Sequence, residues 1–375
     1  VINPYSLIDK FPVLFSFEWR EKSGLNEKEG NLSVITVLGE IDEDTLGITD
    51  PHNHLLVDIR CQFSEFKQVS KKDLSEEKVR IENLGILSRN PYAIKDNLWL
   101  NDVGLAEEEL RSFKKAGGRT FVDATPRDMG RDPEALRDIA VGLGMNIIAG
   151  CGYYTYDTHP EDISKKTIEE IAEEMINDIN TGMDGTRIRA GVIGELGTSQ
   201  KIHPNEKKVL IASAKAHKET GAGIIVHTYP WTREALEILD VLSDTGADLQ
   251  RVMICHIDVD IDLDYIGKII RAGAFVEFDS FGKQYYIDKR YRGYAGLFAT
   301  DLERVKAIKE LADQGYISQI LITCDIVFKS LLHRYGGWGY DHVLTNIVPM
   351  MHEFGITDKQ IDMLLKENPK KFLTK

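Results

Sequence analysis

His52-Asn53-His54 sets two imidazoles two residues apart. In a strand, residues i and i+2 face the same way, so both rings enter one space. Four more ionisable residues each close a short apolar run. Glu195 follows Ala190-Gly-Val-Ile-Gly, His227 follows Gly223-Ile-Ile-Val, His256 follows Val252-Met-Ile-Cys, and Asp325 follows Ile320-Leu-Ile-Thr-Cys. A lone polar residue at a strand mouth is ordinarily a hydrogen-bonded structural group. Strand after strand ending in imidazole or carboxylate is better explained by metal binding, because these are the donors that divalent zinc takes. Four histidines and two carboxylates exceed what one tetrahedral ion needs, so the sequence calls for two divalent metal ions. Zn is preferred, with Mn and Co compatible.

Two ions a few ångströms apart acidify a shared water and polarise a carbonyl or phosphoryl oxygen, which implies hydrolysis. Asp325 is the expected catalytic carboxylate, orienting that water and carrying its proton to the leaving group.

Such residues need a rigid frame that gathers strand ends at one face. From about residue 50, β-branched runs alternate with amphipathic stretches, as in a parallel sheet with crossover helices. The predicted strands are Asp50–Val57, Arg119–Ala124, Asn146–Gly150, Arg189–Glu195, Gly223–His227, Val252–His256, Ala274–Asp279 and Gln319–Asp325. The predicted helices are Glu107–Lys115, Pro133–Leu143, Ile168–Ile179, Glu206–Thr220, Thr232–Leu242, Asp262–Ala272 and Leu302–Asp313. Eight strands with their helices predict an α/β chain folded as a (β/α)8 TIM barrel, whose active sites lie at the C-terminal face of the strands. No Gly-rich dinucleotide fingerprint follows the first strand, which argues against an open doubly wound sheet. The domain reading is an N-terminal extension with a hairpin over residues 1–49, Leu32–Gly39 supplying a strand, and the barrel over residues 50–375. Two long connections, residues 58–101 and residues 280–299, are expected to shape the pocket. The second carries Tyr285, Tyr286, Arg290, Tyr291, Arg292 and Tyr294.

The 375 residues accommodate such a barrel with insertions. Sixty acidic against 46 basic residues give a net charge of -14, which argues against nucleic acid or an anionic membrane surface as partner. No apolar run reaches the roughly 18–20 residues of a bilayer span. Four scattered cysteines without a CxxC pair point to a reducing compartment, and the expected location is the cytoplasm.

The sequence resembles the phosphotriesterase-like branch of the amidohydrolase superfamily from about Val34 to Lys375. The carrying blocks are Val37-Leu-Gly-Glu-Ile, Leu46-Gly-Ile-Thr-Asp-Pro-His-Asn-His-Leu, Gly130-Arg-Asp, Ile193-Gly-Glu-Leu-Gly, Ile254-Cys-His-Ile-Asp, Tyr335-Gly-Gly-Trp-Gly-Tyr and Asn368-Pro, in the family's order. The resemblance implies that His52, His54 and Asp325 hold the buried metal and His227 and His256 the outer one. It also implies a bridging residue at the end of the fourth strand, where Glu195 replaces the family's frequent carbamylated lysine. Asn53 stands where the family often has Glu. Ser280 follows Asp279, where organophosphate hydrolases use a proton-shuttling histidine. Two substrate-binding candidates come from the same resemblance. Tyr154 matches an aromatic of the lactonases that contacts a substrate carbonyl. Lys283 matches one of two lysines of sugar-phosphate lactonases, Tyr285 standing at the other. Arg131 is expected to brace the barrel through a carboxylate. A small-molecule substrate and a homodimer are implied as partners.

The leading expectation is hydrolysis of a carboxylic ester or lactone. The second is amide hydrolysis of an N-acyl compound at the same site, because Asn90–Asn101 resembles the vertebrate phosphotriesterase-related branch. Phosphotriester hydrolysis and a non-catalytic binding protein rank behind both.

Overall fold

The apolar runs assemble as their alternation dictates. The computed structural model describes residues 32–65, 69–287 and 296–375. Its strands are β1 (Ser33–Thr36), β2 (Gly39–Asp42), β3 (Thr49–Asn53), β4 (Val57–Asp58), β5 (Trp99–Leu100), β6 (Thr120–Asp123), β7 (Asn146–Cys151), β8 (Val192–Gly197), β9 (Ile224–His227), β10 (Val252–Ile254), β11 (Phe275–Phe278) and β12 (Ile320–Ile322). Eight of them form one parallel sheet in the order β12-β11-β10-β9-β8-β7-β6-β3. Helices alternate with these strands: after the short α1 (Leu84–Leu87) come α2 (Val103–Lys115), α3 (Pro133–Leu143), α4 (Ile168–Asn180), α5 (Pro204–Thr220), α6 (Ala235–Thr245), α7 (Leu263–Arg271) and α8 (Asp301–Asp313). This is the (β/α)8 barrel that the sequence predicts.

The helices begin where their capping residues allow. Thr167 and Glu170 form a capping box at α4, as do Thr300 and Glu303 at α8. Asp132 caps α3, with Pro133 in its first turn and left-handed Gly144 ending it.

Period-2 alternation places Val122 and Ala124, Ile148, Val192, Ile225, Met253, Phe275 and Leu321 in one buried cluster inside the barrel. The bottom is plugged by Val34 and Leu46 from one side and by Phe372 of the C-terminal helix (Asn368–Leu373) from the other. Phe372 meets Phe275 edge to face with centroids 6.0 Å apart. Burying each ring contributes about 1.5–3 kcal/mol.

The hairpin of β1 and β2 pairs antiparallel, and Val37 N donates to Ile147 O of β7. It lies within the compact unit Leu32–Lys375. The rest of the extension, residues 1–31, lies outside the described residues.

The ladder between β12 and β3 is completed by side chains. Thr323 Oγ1 lies 2.6 Å from Asp50 Oδ1 and 2.7 Å from the His52 carbonyl. Asn53 Nδ2 donates to Asp50 and Thr323, while Asn53 Oδ1 accepts from His54 N and Ile326 N. Asn53 is thus the clasp of the seam.

The connection over residues 58–101 starts and ends in the antiparallel pair β4 and β5. Its far side is tied down by Asp96, which accepts from Lys329 at 2.9 Å, and by Asn97, which accepts from Ser330 N. Of the second long loop, Arg290, Tyr291, Arg292 and Tyr294 lie outside the described residues. Tyr286 and Leu297 flank them in an antiparallel bridge. Three predicted strands end earlier than expected, β3 among them, at Asn53 rather than Val57. β10 ends before His256 and β12 before Asp325, because these residues have φ of 63° and 43° and leave the ladder.

Candidate metal centre

Strand parity decides which side chains reach the top of the barrel interior. Asp50, His52 and His54 share one face of β3 and its continuation. Ile225 and His227, Phe275 with Glu277 and Asp279, and Leu321 with Thr323 and Asp325 repeat the pattern on β9, β11 and β12. Glu195 and His256 are out of parity with the inward Val192 and Cys255. A register irregularity in β8 between Ile193 and Leu196, with Gly194 at φ 141°, turns Glu195 inward. The left-handed backbone of His256 does the same for its ring.

All six residues converge, each 7% exposed or less. His54 Nε2 is 3.3 Å and His52 Nε2 3.9 Å from Asp325 Oδ1, and both are 3.7 Å from Glu195 oxygens. On the other side of Glu195, His227 Nδ1 and His256 Nε2 are each 3.1 Å from Oε1 and 2.7 Å from one another. His52, His54 and Asp325 form one group of potential ligands, and Glu195, His227 and His256 another. His52 Nε2 and His54 Nε2 are buried without a hydrogen-bond partner. Orphaned ring nitrogens aimed at carboxylates fit divalent cations, which supply what the protein leaves out.

The rings are steered from behind. His52 Nδ1 is 2.8 Å from Glu277 Oε2, His54 Nδ1 2.8 Å from Thr125 Oγ1, and His256 Nδ1 3.0 Å from Asp279 Oδ1. Asp279 Oδ2 also accepts from His256 N, fixing the strained residue at two points. Glu277, Asp279 and Thr125 were not singled out as ring partners by the sequence reading. The available signal was Glu277 and Asp279 at alternate positions of an apolar run, both facing inward.

Electrostatics follow from these neighbours. Burial opposes the charge on Glu195, but His52, His227 and His256 outweigh it and hold its carboxyl well below the usual range. His256 is buried, yet Asp279 and Glu195 push its ring up to about 10. His227 moves down, through burial and the neighbouring His256. Burial raises Glu277 to about 7 against the pull of His52.

Asp325, despite burial, is held far below its ordinary value by the Lys283 ammonium and by His54. Lys283, expected to face substrate, is 5% exposed and its Nζ sits against Asp325 Oδ2. The loop that carries it is anchored by fully buried Arg304, which pairs with Asp258 at 2.8 Å and Asp301 at 3.1 Å and donates to the Lys283 carbonyl. Asp258 also accepts from Ser280 N. Tyr285 packs edge to face on Phe298 and Phe328. Arg131 pairs with Asp178 at 2.8 Å and Asp184 at 2.9 Å, bracing the barrel wall.

A cavity opens over the centre. Its floor is Glu195, His227, His256, Lys283 and Asp325, and its walls include Ile59, Tyr92, Met129, Phe298 and Phe328. The long first connection therefore reaches the pocket through Ile59, Gln62 and Tyr92. The Tyr154 hydroxyl also lines it, 3.0 Å from His227 Nδ1. Histidines and carboxylates below an apolar mouth suit water-dependent cleavage of a small molecule. All four cysteines are free, and among the described residues no helix is long and apolar enough to cross a membrane.

The phosphotriesterase family matches residues 32–373. A Danio rerio protein named N-acetyltaurine hydrolase is 38% identical over 343 residues, covering 91% of this chain and 97% of that protein. A solved resiniferatoxin-binding protein from Rhodobacter sphaeroides has a TM-score of 0.88 at 35% identity, over 91% of this chain and 94% of its own. A solved lactonase from Listeria monocytogenes has a TM-score of 0.72 at 25% identity, over 91% and 98%.

Proposed function

The chain belongs to the phosphotriesterase family and is a hydrolase; from that premise we propose that it cleaves the amide bond of a small N-acyl amine, with N-acetyltaurine as the first compound to test. The observation that carries this reading is the near full-length match to a protein named for that hydrolysis. It moves the weight from the ester or lactone expected of the sequence to the amide kept as its second reading.

Enzymes of the family use a binuclear metal centre. In our reading His52, His54 and Asp325 hold one ion, His227 and His256 the other, Glu195 spans both, and the ions are zinc. The bound pair supplies an acidified water and an electrophile for the acyl oxygen. The residues do the rest. Asp325 lies on the cavity floor, where it accepts the proton a water loses on adding to the acyl carbon. It then delivers that proton to the departing nitrogen, which must leave as a neutral amine. Lys283 keeps Asp325 ionised between turnovers, because an adjacent ammonium favours the carboxylate. In this reading Tyr154, whose hydroxyl lies 3.0 Å from His227 Nδ1, orients the substrate carbonyl. The aromatic and aliphatic walls exclude bulk water and bound the size of the acyl group. Ser280, where organophosphate hydrolases carry a histidine, donates no ring proton, so phosphotriesters rank low.

The zinc-loaded protein is to be assayed with N-acetyltaurine, N-acyl amino acids and a panel of lactones. Release of free amine with little lactone turnover is the expected result. Lactone turnover without amide turnover replaces the proposal by the second reading, which the likeness to the Listeria lactonase favours. A homodimer located in the cytoplasm completes the proposal, the oligomeric part being read by light scattering.

A further inference from the structure

Tyr154 reaches the cavity from the loop after β7, outside any helix or strand that would fix it. Its phenol is a rigid lever. A tilt of roughly 10° at the Cα carries the hydroxyl about 1 Å, which at a reacting centre costs on the order of 100-fold in rate. Precise placement of the hydroxyl therefore requires a grip on the peptide groups either side of that Cα, and two side chains supply it.

Asp128 stands on the short helical turn Arg127–Met129 after β6, next to Met129 of the cavity wall. Both of its carboxylate oxygens face the Tyr154 N–H, at 3.1 and 3.0 Å. Its Oδ2 also accepts from the Thr158 hydroxyl at 2.8 Å, which ties the loop back on itself. His159 holds the other side, with Nε2 2.8 Å from the Tyr154 carbonyl oxygen. A carbonyl only accepts, so Nε2 carries the proton and donates. From behind, β8 leaves no slack: a Cβ on Gly197 would lie 2.3 Å from the Tyr154 carbonyl carbon. Asp128 and His159 thus grip the main chain, while the hydroxyl at the far end of the ring is 3.0 Å from His227 Nδ1.

We infer that Asp128 and His159 are positioning residues that clamp the Tyr154 main chain and so set where its hydroxyl meets the substrate carbonyl. The inference rests on the reading of Tyr154 as the residue that orients that carbonyl, and not on the choice between amide and lactone.

The test is a double-mutant cycle on the zinc-loaded full chain. kcat and KM are measured with N-acetyltaurine, or with the lactone cleaved fastest should the amide not be cleaved. Tyr154→Phe and Asp128→Ala are each expected to lower kcat about 10–100-fold, with KM within about twofold. In the Tyr154→Phe background Asp128→Ala then costs less than about twofold, because no hydroxyl is left to misplace. Asp128→Asn keeps most of the activity, since its carbonyl accepts from Tyr154 N and its amide donates to the Thr158 hydroxyl. That rescue separates a hydrogen-bonding clamp from the loss of a charge. His159→Phe gives the same non-additive loss, and decides if Asp128→Ala does not fold. A crystal structure of Asp128→Ala shows the Tyr154 hydroxyl displaced by about 1 Å or more. Losses that simply add in the double variant overturn the inference, as does a Tyr154 hydroxyl that stays in place in that crystal. Wild-type kinetics in Tyr154→Phe remove the reading beneath the inference, and the inference with it. Which bond is cleaved, amide or lactone, bears on the proposed function and leaves the cycle as it is.

Discussion

The two halves of the centre reach one space by different routes. His52 and His54 keep one parity on β3 and its continuation, with φ in the ordinary range, although the register of β3 on β6 also shifts between Asp50 and Asn53. Glu195 and His256 stand out of parity, and irregular backbone turns them in, through Gly194 at φ 141° and His256 at φ 63°. Asp325 mixes the two, in parity but at φ 43°. A left-handed non-glycine residue costs on the order of 1–3 kcal/mol, so the second half persists only because its surroundings over-determine it. A shifted register is common to both halves, and what sets the second apart is left-handed backbone at or beside its ligands.

The strongest test removes the residue that both halves share. Glu195→Ala is expected to lower hydrolysis by on the order of 10³-fold or more, about 4 kcal/mol of transition-state stabilisation. Metal analysis should find less than one ion per chain. A variant that keeps two ions breaks the assignment of Glu195 to both groups.

Next comes the irregular backbone itself. A Cβ on Gly194 would lie 2.6 Å from Ile225 O and 2.7 Å from Ile225 Cβ. Gly194→Ala should therefore cost about 3 kcal/mol from strain and overlap, read as a lower Tm of the metal-free protein. An unchanged Tm would mean that β8 tolerates regular geometry and that the contrast between the halves is overdrawn.

Asp279→Asn loosens His256 at both ring and backbone, and metal retention should drop about 10–100-fold with the fold intact. Equal retention in the variant and the wild type would show that the strained turn holds His256 unaided.

The mildest probe is pH. His256 is raised to about 10 in the metal-free centre, so it carries a proton below that value, whereas a ligand must be neutral. Zinc loading between pH 7 and 9 should release protons, and apparent affinity should rise with pH by about tenfold per unit for each proton displaced. Affinity independent of pH across that window contradicts this account of the His256–Asp279 pair.

Much of the frame was legible because its signals are local. All eight barrel strands and the seven long helices fall within a few residues of the boundaries predicted from periodicity, since apolar alternation and capping residues act over short range. The six candidate ligands were legible as ionisable residues closing apolar runs, and the structure brings them together. Their supporting contacts were not, because they are defined by partners far away in sequence. Glu277 reads as an acid in a strand until the barrel brings the His52 ring against it. Nothing local marks Arg304 in its predicted helix, and only the fold surrounds it with Asp258 and Asp301. Lys283 shows the same limit: the family resemblance suggested a substrate-binding lysine, and only the fold reveals Asp325 against its ammonium. Asn53 looked like a departure between two histidines and is a seam residue whose partners lie some 270 positions away.

That seam bears on how the chain assembles. Thr323 to His52 and Asn53 to Ile326 span 271 and 273 residues, so these contacts close nearly the longest loop the barrel contains. Loop closure of that length comes late in folding, after the local strand-helix units have formed. Because the clasp residues are near neighbours in sequence of His52, His54 and Asp325, the step that joins β12 to β3 also gathers these three candidate ligands. If these residues hold an ion as proposed, zinc added to a refolding chain is expected to act as a fastener on closure, drawing together the first and last strands of the barrel.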